Sequence, residues 1–370
     1  MTYLWEEERV ILKNCGIDEF LNTIQNKKVY CFGASVMPRE ICDEYAEIHF
    51  ENLIHTFVDN SKEKCQEKYT LNGKVFDVIL PKEMLDKICD EDIILITSRF
   101  YADILEQLDN YDELTNVCCY IWPAIAPQYK TDYNLMDKIR EYEEKENKIP
   151  KIIHYCWFGN GKMPELECKC VESWKRFCPD YEIKLWNETN YDLEKNKYMK
   201  QAYEAGKFGF VPDYARLDII YENGGIYLDT DVEIIKKFDD LLRLSGFMGF
   251  QSKDLVALGL GFGACKGNKL IKKMRDDYDD RSFLKKDGSL DITASPFIQT
   301  DLLKGLGLKL DNKVQKIEDM VVLPAECLCP DNNMFPHVTD NTFSIHKFAG
   351  SWVSDAEKNM LRKMRKLALN

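Results

Sequence analysis

The sequence of 370 residues lacks any run of 18 or more apolar residues, which excludes a segment that spans a membrane as a helix. It also lacks the positively charged start of a signal peptide, because the first ten residues, MTYLWEEERV, carry three glutamates. We therefore expect no secretion by that route. Fourteen cysteines are spread along this large chain. Without an export signal, they indicate reduced, mostly buried thiols in a cytoplasmic protein.

The first third of the chain has little positive charge. Residues 1–130 contain 13 Lys and Arg against 24 Asp and Glu, whereas residues 131–370 contain 37 against 39. A nucleic-acid-binding protein needs a basic surface that the first portion lacks, so we expect no nucleic-acid partner. The nearly neutral second portion can accept an anionic small molecule without strong repulsion.

Length and pattern predict two domains, since a domain typically takes about 100–200 residues. Residues 1–130 alternate short apolar strands with helices, which predicts a parallel sheet and a small Rossmann-like α/β domain. The predicted strands lie at 27–35, 53–59, 73–80 and 92–97, with helices from Pro38 and over Tyr101–Leu108.

The first predicted strand ends in CFGAS, which has one glycine instead of the three of a dinucleotide-binding fingerprint. Asp59 follows Gly33 by about 26 residues, the order of distance of a ribose-binding acid. Two interpretations stay open: a docking or regulatory domain, which we favour, and a nucleotide-binding domain. The stretch loosely resembles the nucleotide-fold domains appended to bacterial polysaccharide-synthesis enzymes.

Residues 131–148 are highly charged and predict a solvated helical linker. The second domain, 149–370, opens with the apolar strand IPKIIHYCWFG and continues in strand–helix–strand order. A helix is predicted to begin at Pro212 and to end at Gly224-Gly225. The next segment, IYLDTDVEII (226–235), is predicted to be a strand broken by two acids.

Asp229 and Asp231, in the sequence GGIYLDTDVEI, are flanked by apolar residues on both sides. Unpaired buried carboxylates are very unfavourable, and a divalent cation relieves that penalty. Mg²⁺ and Mn²⁺ prefer carboxylate oxygens and share their other positions with phosphate oxygens. Asp213 and Arg216 are three residues apart on the preceding helix and can form one polar pair. The motif therefore indicates a metal-bound diphosphate, whereas a solvent-facing ion pair is the alternative for Asp213 and Arg216.

Three segments together resemble glycosyltransferase family 32, and they span residues 149–352. They are IPKIIHYCWFG, FVPDYARLDIIYENGGIYLDTDVEII and HKFAGSW. The family includes capsular-polysaccharide sugar transferases and fungal mannosyltransferases, and is related to the glucosylating domain of large clostridial toxins. The resemblance implies a GT-A fold, an α/β domain that transfers a sugar from a nucleotide diphosphate sugar with retention at the anomeric carbon.

The resemblance also implies roles for individual residues. Catalytic roles fall to Asp213, Arg216, Asp229 and Asp231, and a Mn²⁺ or Mg²⁺ ion would be bound by Asp229, Asp231 and His346. A packing histidine without a ligand role is the alternative for His346. Ser351 stays open as the third ligand, because the late acidic element of the toxins reads His-Lys-Phe-Ala-Gly-Ser-Trp here. Donor-binding roles fall to Trp157, Tyr227, Gln299, Ser351 and Trp352.

The expected partners are a UDP- or GDP-sugar donor and a glycan or lipid-linked acceptor, in bacterial surface polysaccharide synthesis. A C-terminal helix over 356–370 would place Lys and Arg opposite an apolar face. It would either lie peripherally on the inner face of a membrane or pack on the domain as an ordinary terminal helix.

Three other functions remain as alternatives. An aspartate-nucleophile phosphatase also uses an Asp-x-Asp after an apolar strand, but Glu233 stands where it has Thr or Val. A non-catalytic sugar-nucleotide sensor would use the same donor-binding residues without turnover. A zinc protein is disfavoured, because the cysteines lack paired C-x₂-C spacing.

Overall fold

The computed structural model describes residues 10–13, 15–98, 100–125, 132–159, 161–330 and 337–349. The chain divides into two compact units, one within residues 1–130 and the other within residues 131–354. Among the described residues, no helix is both long enough and apolar enough to cross a bilayer.

The first unit contains a seven-stranded sheet and short helices. Its strands are β1 (Ile11–Leu12), β2 (Val29–Phe32), β3 (Thr56–Val58), β4 (Lys68–Leu71), β5 (Lys74–Ile79), β6 (Ile93–Ile96) and β7 (Cys118–Ile121). Its helices are α1 (Ile17–Thr23), α2 (Met37–Glu44), α3 (Pro81–Leu85), α4 (Tyr101–Leu108) and α5 (Trp122–Ile125). The strand order is β1-β7-β6-β2-β3-β5-β4, and all neighbouring pairs are parallel except β5 and β4.

The parallel order confirms the α/β class predicted for the first unit. All four residues of β2 and all four of β6 are buried, as expected of strands covered on both faces. The hairpin from β4 to β5 was not predicted, although Asn72-Gly73 between them is a strong hairpin signal. Both residues have positive φ, 47° and 81°.

Asp59 closes strand β3 and is fully engaged by its own unit. Its Oδ2 accepts hydrogen bonds from the Ala34 amide at 3.1 Å and from Lys64 Nζ at 2.8 Å, and its Oδ1 accepts one from the Ser61 amide at 3.0 Å. These contacts satisfy the carboxylate without a ribose. The role of the first unit stays a prediction.

The second unit contains a larger sheet, a two-stranded sheet and seven described helices. Its strands are β8 (Ile152–Cys156), β9 (Glu182–Trp186), β10 (Gly225–Tyr227), β11 (Val232–Ile234), β12 (Gly246–Ser252), β13 (Leu255–Val256), β14 (Phe262–Ala264), β15 (Gln315–Ile317), β16 (Met320–Leu323) and β17 (Ser344–His346). Its helices are α6 (Leu135–Arg140), α7 (Glu165–Phe177), α8 (Lys197–Glu204), α9 (Pro212–Asn223), α10 (Lys269–Asp276), α11 (Ser295–Gly305) and α12 (Ala325–Leu328).

The larger sheet has the order β15-β16-β12-β14-β10-β8-β9, with β13 paired to β12. Strands β9, β8 and β10 run parallel, whereas β14 is antiparallel to both β10 and β12. This mixed sheet, covered by helices, confirms the α/β class predicted for the second unit. Its core includes Trp174, Phe238 and Phe247, all without exposed surface.

The segment 226–235 is not one strand, as the sequence pattern suggested. Strand β10 ends at Tyr227 in the larger sheet, and β11 begins at Val232 in a separate sheet with β17. The amide of Val232 donates to the carbonyl of Asp229 at 3.1 Å and closes the turn between the two strands. Both aspartates therefore lie in a turn at the carboxyl end of β10.

The expected linker 131–148 is helical over Leu135–Arg140, but it is not fully solvated. Leu135 and Ile139 have no exposed surface and pack in the core of the second unit. Their spacing of four residues gives the helix an apolar face that the high charge of the segment obscured. This stretch is therefore part of the second unit.

Candidate functional site

The turn between β10 and β11 presents two carboxylates beside the end of a buried strand. Tyr227 and Leu228 are 1% and 0% exposed, and the Leu228 amide donates to the His154 carbonyl of the neighbouring strand at 3.1 Å. These buried residues fix the start of the turn. Asp229 and Asp231 keep 32% and 15% of their side-chain surface exposed. The turn thus offers two partly accessible acids at a fixed position.

Arg216 joins the first of these acids to helix α9. Its Nη2 pairs with Asp213 Oδ1, and its Nη1 lies 3.5 Å from both carboxylate oxygens of Asp229. Helix α9 is buried from Asp213 to Ile220, and Arg216 is 4% exposed. The alternative of a solvent-facing ion pair is therefore wrong. The two predicted pairs of polar residues form one cluster.

Helix α11 supplies a further contact to Arg216. Ser295, its first residue, accepts a hydrogen bond from Arg216 Nη2 at 3.0 Å and is 7% exposed. The only sequence signal for this residue is weak, a small side chain before Pro296 at a helix start, and no role was predicted for it. Ser295 orients the guanidinium.

His346 reaches the second acid from strand β17. In the two-stranded sheet, His346 pairs with Val232, which follows Asp231 directly. The His346 Nε2 atom lies 3.2 Å from Asp231 Oδ1, while Asp231 Oδ2 accepts the Ala349 amide at 2.9 Å. Of the two candidates for a third ligand, His346 is placed beside the acids, and Ser351 lies outside the described residues.

The environments of the two acids shift their pKa values in opposite directions. Burial raises the pKa of Asp229, and this effect and the nearby Asp231 outweigh Arg216, which lowers it. Burial also raises the pKa of Asp231, but His346 and the Ala349 amide outweigh burial and lower the pKa to about 2. Asp231 is therefore the firmer anionic ligand, and Asp229 is sensitive to any added positive charge.

The donor atoms of this cluster suit a divalent cation. Ligand atoms of Asp229, Asp231 and His346 all lie within 4.8 Å of one another, the one such group of potential ligands found in the described part of the chain. Within the described residues, Arg216 pairs with Asp213 and Asp229, and Asp231 pairs with His346, so three carboxylates share one permanently charged partner and one histidine. Two carboxylates with an imidazole suit Mn²⁺ better than Mg²⁺. The predicted metal-ligand set fits the structure.

Two further predicted donor-binding residues, Trp157 and Tyr227, belong to the ends of neighbouring parallel strands, β8 and β10. Trp157 follows strand β8, is partly exposed, and donates from Nε1 to the Gly161 carbonyl at 2.6 Å. Tyr227 is 1% exposed, and its ring centroid lies 5.9 Å from the guanidinium carbon of Arg216. Contact with a donor stays a prediction for both residues. Because Tyr227 is buried, a role in supporting Asp229 and Arg216 fits it better than contact with the donor.

Gln299 is 2% exposed, and its Oε1 accepts the Leu258 amide at 3.0 Å. Its acceptor is thus used within the protein, and its donor-binding role stays a prediction. Trp352, like Ser351, lies outside the described residues, as does the predicted C-terminal helix 356–370.

His154 and the cysteines have structural surroundings. Burial lowers the pKa of His154 to about 4. Its Nδ1 accepts from Trp186 Nε1 at 3.1 Å, so the neutral ring donates from Nε2 to the Gly224 carbonyl at 2.9 Å. All fourteen cysteines are described, are free thiols, and form no metal-binding group there; seven are buried.

Residues 164–247 match the family model "Glycosyltransferase sugar-binding region containing DXD motif". This region includes Asp213, Arg216, Asp229 and Asp231. The family resemblance inferred from the sequence is confirmed over these residues.

Two curated relatives match part of the chain. "Inositol phosphoceramide mannosyltransferase 3" of Schizosaccharomyces pombe is 34% identical over 154 residues, which cover 39% of this chain and 42% of that protein. "Subversion of eukaryotic traffic protein A" of Legionella pneumophila is 25% identical and covers 39% and 27%. The chain thus spans less than half the length of these relatives.

A solved structure, "PaToxG Glycosyltransferase", is 18% identical, with a TM-score of 0.35 over 46% of this chain and 73% of that chain. The fold assignment rests on the sheet order given above.

Proposed function

We propose that the chain transfers a sugar from a nucleotide diphosphate sugar to an acceptor hydroxyl, since residues 164–247 match the model of a glycosyltransferase sugar-binding region with a DXD motif. One observation carries this proposal. The two acids of the motif meet His346 on one side and the buried Asp213–Arg216 pair on the other. A cation-binding set thus adjoins a buried polar pair that can hold sugar hydroxyls.

Asp229, Asp231 and His346 would hold the divalent cation, Mn²⁺ or Mg²⁺. When bound, such a cation supplies electrostatic stabilisation of the diphosphate leaving group, an effect of several kcal/mol. Asp231 is ionised at neutral pH, as an aspartate with the ordinary pKa of 3.8 would be, and His346 and the Ala349 amide lower its pKa further, to about 2. It is therefore ready to accept a cation without first losing a proton.

Asp213 and Arg216 would hold hydroxyls of the donor sugar. The guanidinium is fixed by Asp213 and Ser295 and is buried, so it enters the reaction already oriented. Burial alone would lower the pKa of Arg216, but Asp229 and other neighbours raise it, and the group stays charged. Trp157 would stack on the donor base, and Ser351 and Trp352 would complete the donor site. The buried Tyr227 would support Arg216.

We propose retention at the anomeric carbon by front-face attack, in which the departing phosphate accepts the acceptor's proton. A retaining glycosidase uses a free carboxylate as nucleophile, about 5–5.5 Å from its partner acid. Each carboxylate of this cluster is already engaged: Asp213 and Asp229 by Arg216, and Asp231 by His346. A covalent glycosyl adduct trapped on Asp213 would contradict this route.

The acceptor class and location belong to the same proposal. The curated relative named for inositol phosphoceramide favours a lipid-linked acceptor over a soluble glycan. We propose a cytoplasmic enzyme that acts on such an acceptor in surface polysaccharide synthesis.

The test is a panel of UDP- and GDP-sugars with Mn²⁺, scored by release of nucleoside diphosphate. We expect slow hydrolysis of one donor without acceptor, and no release by Asp231→Ala. Saturable donor binding without any turnover would indicate a sensor instead. Release of phosphate from simple phosphate esters, with no reaction of nucleotide sugars, would indicate a phosphatase and overturn the proposal.

A further inference from the structure

Gly259 lies directly against the carboxylate of Asp229. It is the central residue of the short helical turn Leu258–Leu260. A Cβ atom built on Gly259 would overlap Asp229 Oδ2 and would lie 3.4 Å from Arg216 Nη1. The backbone of Gly259 is outside the left-handed region, so its conformation alone would tolerate any residue. Glycine is needed here for space.

The turn that carries Gly259 is held in place by helix α11. The Leu258 amide donates to Gln299 Oε1 at 3.0 Å, and the Val256 amide donates to Thr300 Oγ1 at 2.9 Å. Leu258 and Leu260 are 0% and 1% exposed, so both flanking side chains are anchored in the core. The turn therefore has little freedom to move away from an added side chain.

Helix α11 also holds Arg216, the other neighbour of the Asp229 carboxylate. Its first residue, Ser295, accepts a hydrogen bond from Arg216, and Arg216 faces Asp229. One helix thus positions both the guanidinium and the glycine turn. Asp229 contacts both: a Cβ atom on Gly259 would overlap its Oδ2, and Arg216 Nη1 lies 3.5 Å from both of its carboxylate oxygens. A ligand atom of Asp229 also lies within 4.8 Å of ligand atoms of Asp231 and His346.

We propose that Gly259 is a positioning residue. Because it has no side chain, its backbone packs directly against the Asp229 carboxylate and keeps that carboxylate in contact with Arg216 and beside the cation-binding atoms. Gln299, expected to bind the donor, supports the backbone of this turn through its hydrogen bond with Leu258. The consequence for cation binding rests on the proposed function, whereas the contact between Gly259 and Asp229 does not. A methyl group at position 259 pushes the carboxylate out of this arrangement.

The experiment uses the full chain and a double-mutant cycle of Gly259→Ala and Asp229→Ala. Thermal unfolding is measured in EDTA, and Mn²⁺ binding is measured from the EPR signal of free Mn²⁺ in a titration with MnCl₂ alone. We expect Gly259→Ala to lower the melting temperature and to weaken Mn²⁺ binding about 10–100-fold, as for other groups that orient metal ligands. In the Asp229→Ala background, Gly259→Ala should have little further effect, because no carboxylate remains to overlap.

Gly305→Ala is the matched control. Gly305 ends helix α11, and a Cβ atom there would meet nothing within 4 Å. We expect its Mn²⁺ affinity to equal that of the wild type. If Gly259→Ala fails to fold, the double variant Gly259→Ala/Asp229→Ala is the deciding measurement. The proposal stands if the double variant folds. It fails if Asp229→Ala folds and the double variant does not.

The proposal would be overturned if Gly259→Ala lowered the melting temperature equally in the wild-type and Asp229→Ala backgrounds. It would also be overturned if the Gly259→Ala protein had the same stability and the same Mn²⁺ affinity as the wild type. Failure of the wild type to bind Mn²⁺ would instead count against the proposed function. The unfolding cycle would still report whether Gly259 restrains Asp229.

Discussion

Two edges of the molecule place an acid after a buried parallel strand, and they differ in how that acid is neutralised. In the first unit, Asp59 follows β3 and meets one lysine and two backbone amides. In the second unit, Asp229 and Asp231 follow β10. Asp229 faces Arg216, which also pairs with Asp213, whereas Asp231 pairs with His346. The first edge is electrostatically complete, whereas at the second edge, among the residues that the structure describes, three carboxylates share one arginine and one histidine.

This difference shows why an acid at a strand end is a weak signal by itself. The charged partner of Asp59 is Lys64, which follows it closely in sequence, and its other partners are backbone amides. Asp229 and Asp231 instead meet charged or titratable side chains from other elements: Arg216 lies on the preceding helix, and His346 lies over 100 residues later. Such clusters of interacting titratable side chains concentrate at functional sites.

The largest expected effect separates the two edges directly. Asp231→Ala removes the firmest anionic ligand, and we expect nucleoside diphosphate release to fall at least about 1,000-fold, roughly 4 kcal/mol in the barrier. Asp59→Ala should leave the rate within about twofold, since Asp59 is satisfied within its own unit. Circular dichroism of both variants checks that each is folded. Equal losses of activity in the two variants would contradict the claim that Asp231 has a functional role and Asp59 a structural one.

A second test concerns the single arginine of the site. Arg216→Lys keeps the charge but loses the planar fork that contacts Asp213, Asp229 and Ser295 together, so we expect kcat/KM to fall about 100-fold. Arg275→Lys is the matched control on helix α10, where Arg275 pairs with Asp218 and Asp276. Steady-state kinetics should show no comparable loss for the control. An active Arg216→Lys enzyme would contradict the role given to the fork.

His154 makes the stability of the second unit depend on pH, because its buried neutral ring donates a hydrogen bond to the Gly224 carbonyl. Its pKa is lowered from 6.5 to about 4, so the unfolded chain binds the proton more readily than the folded protein. This part of the stability is present above pH 6.5 and is lost as the pH falls towards 4. We expect a loss on the order of 3 kcal/mol over that range.

Urea unfolding of the second unit at pH 7 and pH 4.5 measures this loss, with His154→Gln as the variant that cannot titrate. The difference between the two pH values should shrink in that variant. An unchanged difference would assign the pH dependence to other groups.

The smallest expected effect concerns the first edge. Asp59→Asn removes the ion pair with Lys64 and keeps one acceptor for the backbone amides, so we expect the first unit to lose about 1–2 kcal/mol. Mn²⁺ affinity should stay unchanged. Chemical denaturation followed by a probe in the first unit measures the loss. Altered Mn²⁺ affinity would show that the two edges are coupled.

Local patterns predicted much of the fold. Helix α4 has the predicted bounds, Tyr101–Leu108, and helix α9 begins at Pro212 and ends before Gly224 as expected. Such features depend on short-range rules, since proline fits a helix start and glycine a helix end. The separation of β10 from β11 was missed, because it depends on the pairing of β11 with β17, more than 100 residues later.

The candidate site was predicted in part for the same reason. Asp213 and Arg216 are close in sequence, and the double aspartate is a compact motif. Ser295 and Gly259 were missed because their contacts with Arg216 and Asp229 arise from tertiary packing, and a glycine that provides space has no distinctive pattern. The buried face of the segment 131–148 was hidden by its charged residues.

The most direct test of the account is the position of manganese in crystals of the full chain soaked with MnCl₂ and a nucleoside diphosphate. We expect one anomalous peak within bonding distance of Asp231, adjacent to Asp229 and His346, that also contacts the diphosphate. A diphosphate bound elsewhere, or a peak remote from Asp231 with these three side chains contacting only protein atoms, would contradict it.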